Sequence, residues 1–366
     1  MSHVRVSAYD GHMTRVAAVH GALPPHRYAQ PAITEAFADM CTTTRRERDL
    51  LERFHAAAGV HSRNLSLPLE KYAELKGFGE ANDAFIATAL DLGERAARGA
   101  LQEAGFSPGD VDLVLATSVT GLATPSIDAR LAGRLELRPD VKRIPVFGLG
   151  CVAGAAGLAR IHDYLQAWPD QVALLLSVEL CSLTVQRDDA SVPNLVASGL
   201  FGDGATAVVA VGANRARDLA RSGPEVIATR SRLYPDTERV MGWDIGGTGF
   251  RVVLASSVAD VVKDNLGLDV AGFLRDHGLA PDQVPSWVCH PGGPKVIDAV
   301  RSALELPETA LEVTRRSLAE VGNLSSSSVL HVLRETMRDH RPVPGTPGML
   351  LAMGPGFCSE LVLLRW

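Results

Sequence analysis

Apolar runs alternate with longer amphipathic segments along the chain. Residues 81–105 carry apolar positions at helical spacing and end on a glycine, so they predict a helix closed by Gly105. A second helix is predicted over 152–168. Near-continuous apolar runs are typical of strands in a sheet that is covered on both faces. In the first half, the strands predicted in this way are 111–119, 143–150, 171–180 and 204–213.

A polar break at 214–225 separates this region from a second α/β pattern. The elements predicted there are strands over 226–235, 286–290, 349–356 and 359–366 and helices over 250–267 and 294–306. In each half, one strand ends on Cys or His and passes into a helix. We therefore expect two similar halves, 1–213 and 214–366, although no sequence repeat of fixed period relates them.

Composition narrows the classes of protein that fit. The chain has 366 residues, 46% of them hydrophobic and 21% charged, which excludes a disordered chain and allows one large core or two domains. Its net charge of −6 provides no basic surface for a polymer, so we expect no nucleic acid partner and no stable membrane association. Five cysteines without a CxxC pair, no signal-like N-terminus and no membrane-length apolar run predict a soluble, cytoplasmic protein.

Cys151 is the first candidate for chemistry. It follows a strand and a Gly-Leu-Gly turn and lies in the first turn of a predicted helix. Free backbone N–H groups at that position stabilise a thiolate. The alternative is a buried structural cysteine, since free cysteines are usually buried.

His290 and Asn323 complete a possible catalytic set. His290 closes a predicted strand, at the kind of sheet edge where α/β proteins bind ligands. Asn323 precedes an apolar-periodic segment, so it could equally be a helix N-cap, and His290 could be a structural histidine. Together with Cys151 they form a plausible nucleophile, base and amide donor, but these arguments leave open whether the three meet in space. The glycine-rich pieces match neither GxxxxGK[ST] nor GxGxxG, so no nucleotide site is predicted.

Several motifs in a fixed order resemble one enzyme family. They are "GLGCVAGAAGL" at 148–158, "GLFGDGA" at 199–205, "GFRVVL" at 249–254, "CHPGGPKVID" at 289–298, "GNLSSSSVL" at 322–330 and "GPGF" at 354–357. From Arg15 to Trp366 the chain resembles the type III polyketide synthases of the chalcone and stilbene synthase family. The resemblance implies an α/β fold of the five-layered αβαβα thiolase type, built from two similar halves, with the site between them.

The resemblance also implies roles for individual residues. Cys151 would take an acyl group from coenzyme A, with His290 holding the cysteine as a thiolate. His290 and Asn323 would then stabilise the enolate that forms when malonyl-CoA loses carbon dioxide. Phe201 and Phe250 match two gate phenylalanines between the coenzyme A tunnel and the cavity.

Further residues are assigned by the same resemblance. Arg53 and Lys295 are candidate contacts for coenzyme A phosphates. The residues expected to line the cavity are Thr184, Val119, Thr120, Thr124, Met241 and Ser325. The family implies a homodimer, with Thr124 reaching towards the partner, and a reaction that needs no metal or redox cofactor.

The local phrasing "MGWDIGGTGFRVVL" is most similar to the bacterial branch of the family. It favours a medium to long aliphatic acyl-CoA starter, extended with malonyl-CoA to an alkylpyrone or alkylresorcinol. The alternatives are another aromatic product of phloroglucinol or naphthalene type, a single condensation like that of β-ketoacyl-carrier-protein synthase III, and a non-catalytic acyl-CoA binding protein.

Overall fold

The computed structural model describes residues 13–187, 189–219 and 223–366. The strands are β1 (Thr14–Ala22), β2 (His26–Ala29), β3 (Ser62–Leu65), β4 (Val111–Thr117), β5 (Lys142–Val146), β6 (Val172–Leu180), β7 (Asp203–Val211), β8 (Glu225–Leu233), β9 (Met241–Gly246), β10 (Gly249–Leu254), β11 (Ser286–Cys289), β12 (Pro347–Gly354) and β13 (Cys358–Arg365). The α-helices are α1 (Gln30–Cys41), α2 (Arg45–Ala57), α3 (Leu69–Tyr72), α4 (Phe78–Ala104), α5 (Ile127–Leu135), α6 (Ala153–Ala167), α7 (Val192–Leu200), α8 (Val258–Asp276), α9 (Pro294–Ala303), α10 (Glu312–Val321) and α11 (Ser326–Asp339).

One mixed sheet joins nine of the described strands in the order β11-β12-β13-β8-β1-β7-β6-β4-β5. The first-half strands β1, β7, β6, β4 and β5 form one side, and the second-half strands β8, β13, β12 and β11 form the other. The two sides meet where β1 pairs with β8 through Thr14–Val226 and Arg15–Glu225. The β4–β5, β4–β6 and β11–β12 pairs are parallel.

Helices complete the layered arrangement that the resemblance implies. Helices α6 and α11 form the central layer, packed between the first-half strands and the second-half strands. They share one buried core with strands of both halves. Helix α4 covers the outer face of the first-half strands, and α8 and α9 cover that of the second-half strands. The described residues therefore form the five αβαβα layers, which confirms the predicted fold class.

Most predicted elements are confirmed, but one assignment is wrong. The helix predicted over 250–267 is a strand followed by a helix, because β10 extends to Leu254 and α8 begins only at Val258. Strand β10 forms an antiparallel hairpin with β9, from Phe250 paired with Ile245 to Leu254 paired with Met241. Three β-branched or aromatic residues in "FRVV" favour the strand over the helix.

Strand β5 also differs from the prediction of a sheet covered on both faces. It is an edge strand of the nine-stranded sheet, and four of its five residues are exposed. Ile144 within it and Phe147 just after it are 42% and 47% exposed. The strand also carries Lys142, Arg143 and Pro145, but its unpaired edge and these exposed apolar side chains form a surface on which another chain could pair. Among the described residues, no helix combines the length and apolar character that a membrane span needs.

Candidate active site

Cys151 lies at the corner between β5 and α6, in the 3-10 turn Gly150–Val152. Gly150 precedes it with φ +56°, and a Cβ there would lie 2.6 Å from Cδ of Pro355, so only glycine fits without rearrangement. The thiol is buried, and its Sγ donates a hydrogen bond to Oγ of Ser325 at 3.6 Å. The turn thus brings the first-half cysteine against the residue that precedes α11 in the second half.

The three candidate catalytic residues line one chamber, which we call the main chamber. His290 follows β11, and its backbone N–H donates to the carbonyl of Leu351 at 3.0 Å. Phe201 and Met241, which the family resemblance assigns to the gate and the cavity, line the same chamber. Parallel strand ends and the central helices therefore bring Cys151, His290 and Asn323 together from both halves of the chain.

Asn323 is not the N-cap of a helix, since α11 begins at Ser326. Its Oδ1 accepts a hydrogen bond from the backbone N–H of Ser325 at 2.8 Å. The amide oxygen is therefore occupied by the backbone, which leaves the amide NH2 as the group available for donation to a ligand. Ser325 itself has φ +48°, an uncommon conformation for a residue with a side chain.

Burial shifts the ionisation of both Cys151 and His290. It raises the pKa of the Cys151 thiol to about 12 and lowers the pKa of the His290 imidazole to about 3, because a charge in this enclosed site loses its hydration. The hydrogen bond to Ser325 opposes the first shift only in part. The Nδ1 atom of His290 is buried and has no hydrogen-bond partner among the residues that the structure describes. In the free protein, burial therefore favours a neutral thiol beside a neutral imidazole over the ion pair that the resemblance implies.

A second cavity, the side chamber, adjoins the main chamber. Thr120, Thr184 and Phe250 line it, so three more predicted residues face one cavity system. The buried side chain of Gln186 stabilises the wall of the side chamber. Its Nε2 donates to the backbone carbonyls of Thr184, Thr248 and Phe250 at 3.1, 3.2 and 3.1 Å. This one amide joins the loop after β6 to the β9–β10 hairpin.

Three aromatic rings surround the Phe250 ring. Phe78, Trp243 and Phe147 have ring centroids 5.4, 6.0 and 6.3 Å from it, and the Phe78 contact is edge-to-face. Phe78 also packs on Gly249, where a Cβ would lie 2.8 Å from its Cδ2 and φ is +97°. Aromatic pairs at these separations stabilise one another beyond simple burial, so Phe250 is held in an apolar cluster.

Glu179 is a fully buried carboxylate in the apolar strand β6. Its oxygens accept hydrogen bonds from Thr120 Oγ1 at 2.9 Å, from the Val119 N–H at 3.1 Å and from Ser326 Oγ. Burial raises its pKa to about 7 despite these donors. An acidic residue near the end of a strongly apolar run is a signal of such a site that the sequence itself carries.

The remaining predicted residues line neither the main chamber nor the side chamber. Val119 is buried and contacts Glu179 through its backbone, and it does not line the two chambers in the described structure. Thr124 is exposed and lies outside the cavities of its own chain. Arg53 and Lys295 are also exposed and line neither chamber. Gly59, just beyond α2, approaches Pro294 at the start of α9, where a Cβ would lie 3.0 Å from the proline Cγ, so the end of the helix that carries Arg53 lies next to the start of the helix that carries Lys295.

Apolar side chains form most of the main chamber beyond the three polar residues. They are Leu200, Phe201, Met241, Val252, Leu254, Val258, Val296, Val300, Leu351, Met353 and Phe357. Such a lining excludes water and accommodates a hydrocarbon or aromatic group. In the described part of the chain, no group of three or more His, Cys, Asp and Glu side chains is placed to hold a metal ion.

Both halves of the chain match models of one protein family. Residues 2–215 match the family model "Chalcone and stilbene synthases, N-terminal domain", and residues 225–366 match the corresponding C-terminal domain model. The chain is 60% identical over 353 residues to a 1,3,6,8-tetrahydroxynaphthalene synthase of Streptomyces peucetius subsp. caesius, covering 96% of this chain and 93% of that protein. It is 35% identical to a putative chalcone synthase of Bacillus subtilis, covering 97% and 99%.

A solved structure shows the same architecture. The crystal structure of 1,3,6,8-tetrahydroxynaphthalene synthase from Streptomyces coelicolor A3(2), described as a bacterial type III polyketide synthase, superposes with a TM-score of 0.89 at 29% identity. The match covers 96% of this chain and 99% of that one. The similarity therefore spans both halves and the whole cavity system between them.

Proposed function

This chain belongs to the chalcone and stilbene synthase family and is a type III polyketide synthase, and from that premise we propose that it makes 1,3,6,8-tetrahydroxynaphthalene from malonyl-CoA. The observation that carries the product assignment is the 60% identity to a synthase of that name over nearly the full length of both chains. It favours the naphthalene alternative over the aliphatic alkylpyrone or alkylresorcinol that the local phrasing suggests.

The chemistry of that product fixes the substrate count. Its ten carbons and alternating hydroxyl groups correspond to five two-carbon units. Five malonyl-CoA molecules would give one product, five coenzyme A, five carbon dioxide and one water. One malonyl unit serves as starter and four extend it, and the starter loses its own carboxylate in addition. No electron leaves or enters this balance, so the proposed reaction needs no redox cofactor, and the family resemblance implies that it needs no metal either.

We assign the loading step to Cys151. As its sulfur attacks the thioester carbonyl of the starter, its proton passes to His290, and the sulfur–carbon bond to coenzyme A breaks. Proton transfer during attack suits a pair that burial keeps neutral at rest. The departing coenzyme A thiolate then takes the proton from His290, which returns the imidazole to its neutral form.

We assign the decarboxylation step to His290 and Asn323. When the bond from the malonyl methylene carbon to its carboxylate breaks, the electron pair moves onto the thioester oxygen as an enolate. Hydrogen-bond donors aimed at that oxygen stabilise the transition state more than the substrate. The free amide NH2 of Asn323 suits this role because the backbone of Ser325 occupies the amide oxygen. The enolate carbon then attacks the acyl carbonyl on Cys151, and the carbon–sulfur bond breaks. The extended chain leaves on coenzyme A, and the Cys151 thiolate takes a proton from solvent before the next loading step.

Phe201 and Phe250 would act as apolar walls at the junction of the chambers. Phe201 lines the main chamber, and Phe250 lines the side chamber inside its aromatic cluster. Excluding water there strengthens hydrogen bonds to the enolate and protects it from protonation. Arg53 and Lys295 would bind coenzyme A phosphates, as the family resemblance implies, because both are exposed cations on α2 and α9, helices whose facing ends meet at Gly59 and Pro294.

An aliphatic acyl-CoA starter remains the second candidate, and the lining of the main chamber supports it. The surfaces of Val252, Val258 and Met353 beside Cys151 offer no polar partner for a second carboxylate but would accommodate a hydrocarbon chain. A fatty starter would lead to the alkylpyrone or alkylresorcinol type of product. The two candidates differ in a quantity that is simple to measure, namely the number of carbons that do not come from malonyl-CoA.

The test uses malonyl-CoA labelled with carbon-13, alone and with a panel of acyl-CoA starters, followed by mass spectrometry. We expect a ten-carbon product labelled in every position from malonyl-CoA alone, and its loss in Cys151→Ala. A product that forms only when a fatty acyl-CoA is added would support the aliphatic candidate instead. A product extended by a single malonyl unit would indicate a β-ketoacyl-carrier-protein synthase III type of reaction.

We further propose a homodimer formed through the open edge at β5. Exposed apolar residues mark this edge, namely Ile144, Phe147 and Leu122 at 42%, 47% and 41% exposure. The exposed Thr124 lies in the segment beside β5, where it could extend towards a second copy. Light scattering should give twice the monomer mass for the wild type and the monomer mass for Ile144→Asp, with the exposed Ile245→Asp as control. A monomeric wild type would contradict the proposal.

A further inference from the structure

Arg63 is a charged residue in the protein interior, on strand β3, with no solvent-exposed surface. Its guanidinium makes two directed contacts. Nε donates to Oε1 of Gln30 at 3.1 Å, and Nη1 donates to the backbone carbonyl of Phe201 at 2.5 Å. The Gln30 amide in turn donates to the carbonyl of Gly199 at 2.8 Å. Arg63 and Gln30 thus hold two carbonyls of the segment that carries Phe201.

The aliphatic part of Arg63 contacts the opposite segment. Gly322 has φ +76°, and a Cβ there would lie 3.0 Å from Cδ of Arg63 and 2.9 Å from the carbonyl oxygen of Leu200. The backbone at Gly322 therefore approaches Arg63 as closely as a glycine allows. The Arg63 side chain therefore packs against Gly322, the residue before Asn323. Its Nη1 also donates to the carbonyl of Phe201.

These two segments are joined directly to each other. The N–H of Asn323 donates to the carbonyl of Leu200 at 2.9 Å, and the N–H of Gly202 donates to the carbonyl of Asn323 at 3.0 Å. The pair Phe201–Asn323 is an isolated parallel bridge outside the main strands. Arg63 lies against this bridge and contacts both of its sides.

The buried guanidinium also lies over the ring of Phe37, with Cζ 5.8 Å from the ring centroid. Among the described residues Arg63 forms no ion pair, and its Nη2 has no hydrogen-bond partner. Burial lowers the pKa of Arg63 to about 10, and the nearby Asp203 only partly opposes the shift, so the group stays charged at neutral pH. Apolar residues usually stabilise an interior as well as, or better than, a buried charge. Unlike an apolar side chain, the guanidinium is a rigid fork whose N–H donors point in fixed directions.

We propose that Arg63 is a positioning residue for decarboxylation, which sets the place of Asn323 relative to Phe201 by holding the bridge between them. The inference rests on the proposed role of Asn323 as a donor to the enolate oxygen. Such a donor must be placed to within a fraction of an ångström to act on the transition state. Arg63 does not contact Cys151, so loading and decarboxylation should respond differently when it is changed.

The test measures two rates in the same variants. Alkylation of Cys151 by iodoacetamide reports the nucleophile, and release of labelled carbon dioxide from malonyl-CoA reports decarboxylation. In Arg63→Met we expect carbon dioxide release to fall at least ten-fold while alkylation stays within two-fold of the wild type. Arg63→Lys keeps the charge without the fork, and we expect an intermediate loss. In Gln30→Leu, which leaves the guanidinium in place, we expect a smaller change in the same direction.

The controls separate this inference from the proposed function. Leu113→Ala removes buried contacts in β4 and should lower thermal stability without separating the two rates. If Asn323→Ala releases carbon dioxide at the wild-type rate, the proposed role of Asn323 fails. If Asn323→Ala is slow but the Arg63 variants are normal, only the positioning role is overturned. Equal losses of both rates in the Arg63 and Gln30 variants would likewise overturn it, because they would indicate a general structural defect.

Discussion

Phe201 and Asn323 share a two-hydrogen-bond parallel bridge, although they lie in different halves of the chain. Gly202 allows this contact, because a Cβ there would lie 2.3 Å from the carbonyl oxygen of Val321. We expect Gly202→Ala to displace the bridge, to destabilise the protein by about 1–3 kcal/mol through overpacking and to lower kcat at least ten-fold. Denaturant unfolding and steady-state kinetics measure the two effects.

Gly133→Ala is the matched control for that substitution. Gly133 lies in α5, and no atom outside its own helix would come within 4 Å of an added Cβ. Alanine in a helix is more stable than glycine by roughly 0.5–1 kcal/mol, so this variant should be slightly stabilised and fully active. A Gly202→Ala protein with wild-type kinetics would show that the bridge does not matter for the reaction.

Gln186 should control the shape of the side chamber. In Gln186→Glu, a carboxylate would face the carbonyls of Thr184, Thr248 and Phe250 that now accept hydrogen bonds, so the loop and the hairpin would separate. We expect kcat/KM for malonyl-CoA to fall about ten-fold or more and the share of incompletely extended products to rise. The exposed Gln102→Glu serves as control, and chromatography with mass detection quantifies the products. An unchanged product profile would contradict a role in shaping the chamber.

The reactivity of Cys151 should depend strongly on pH. Because burial raises the pKa of its thiol to about 12, only a small and pH-dependent fraction is thiolate near neutrality. We expect the rate of alkylation by iodoacetamide to rise about ten-fold per pH unit between pH 6 and 9, with peptide mapping to separate Cys151 from the other cysteines. A rate that is constant above pH 6 in the wild type but not in His290→Ala would instead show the ion pair with His290.

Glu179 should make folding stability fall as the pH rises. Its pKa is about 7 in the folded protein, against 4.5 for an unperturbed glutamate side chain, so the folded state binds the proton more tightly and unfolding releases it between these values. The free energy of unfolding should therefore decrease from pH 4.5 to 7, by up to about 3 kcal/mol from this group. Burial also raises the pKa of Asp203, which acts in the same direction.

Urea unfolding between pH 5 and 8 tests that expectation. Glu179→Gln should reduce the slope of stability against pH and leave only the part due to Asp203 and other groups. The exposed Glu238→Gln should keep the wild-type slope. If Glu179→Gln and the wild type show parallel profiles, then Glu179 is ionised in the folded protein over this whole range.

Sequence patterns predicted the elements whose physical cause is local. Helix α4 ends at Ala104 because Gly105 takes φ +76°, and such a glycine is visible in the sequence. The strands β6 and β7 are buried throughout, which a continuous apolar run indicates. The hairpin of β9 and β10 was missed, because the run from Phe250 to Leu254 is short and its partner strand, MGWDIG, is interrupted by two glycines and an aspartate.

The candidate site was predictable in its residues and not in its contacts. Strand ends and a helix start identified Cys151 and His290, but only the family resemblance linked them to Asn323. The residues that hold them were missed, since Arg63 and Gln186 act through hydrogen bonds to backbone carbonyls distant in sequence. Such acceptors leave no pattern of residue types in a single chain.

The central layer of the fold has a consequence for how the enzyme is made. Helix α6 and the nucleophile emerge from the ribosome 139 residues before His290 and still earlier than α11. At about 5–20 residues per second, that interval lasts roughly seven to thirty seconds. During this time the second-half residues that pack on the apolar face of α6 have not been made, so that face is not buried. Cys151 also has no histidine base beside it. The complete set of Cys151, His290 and Asn323 therefore assembles only after both halves of the chain have been made.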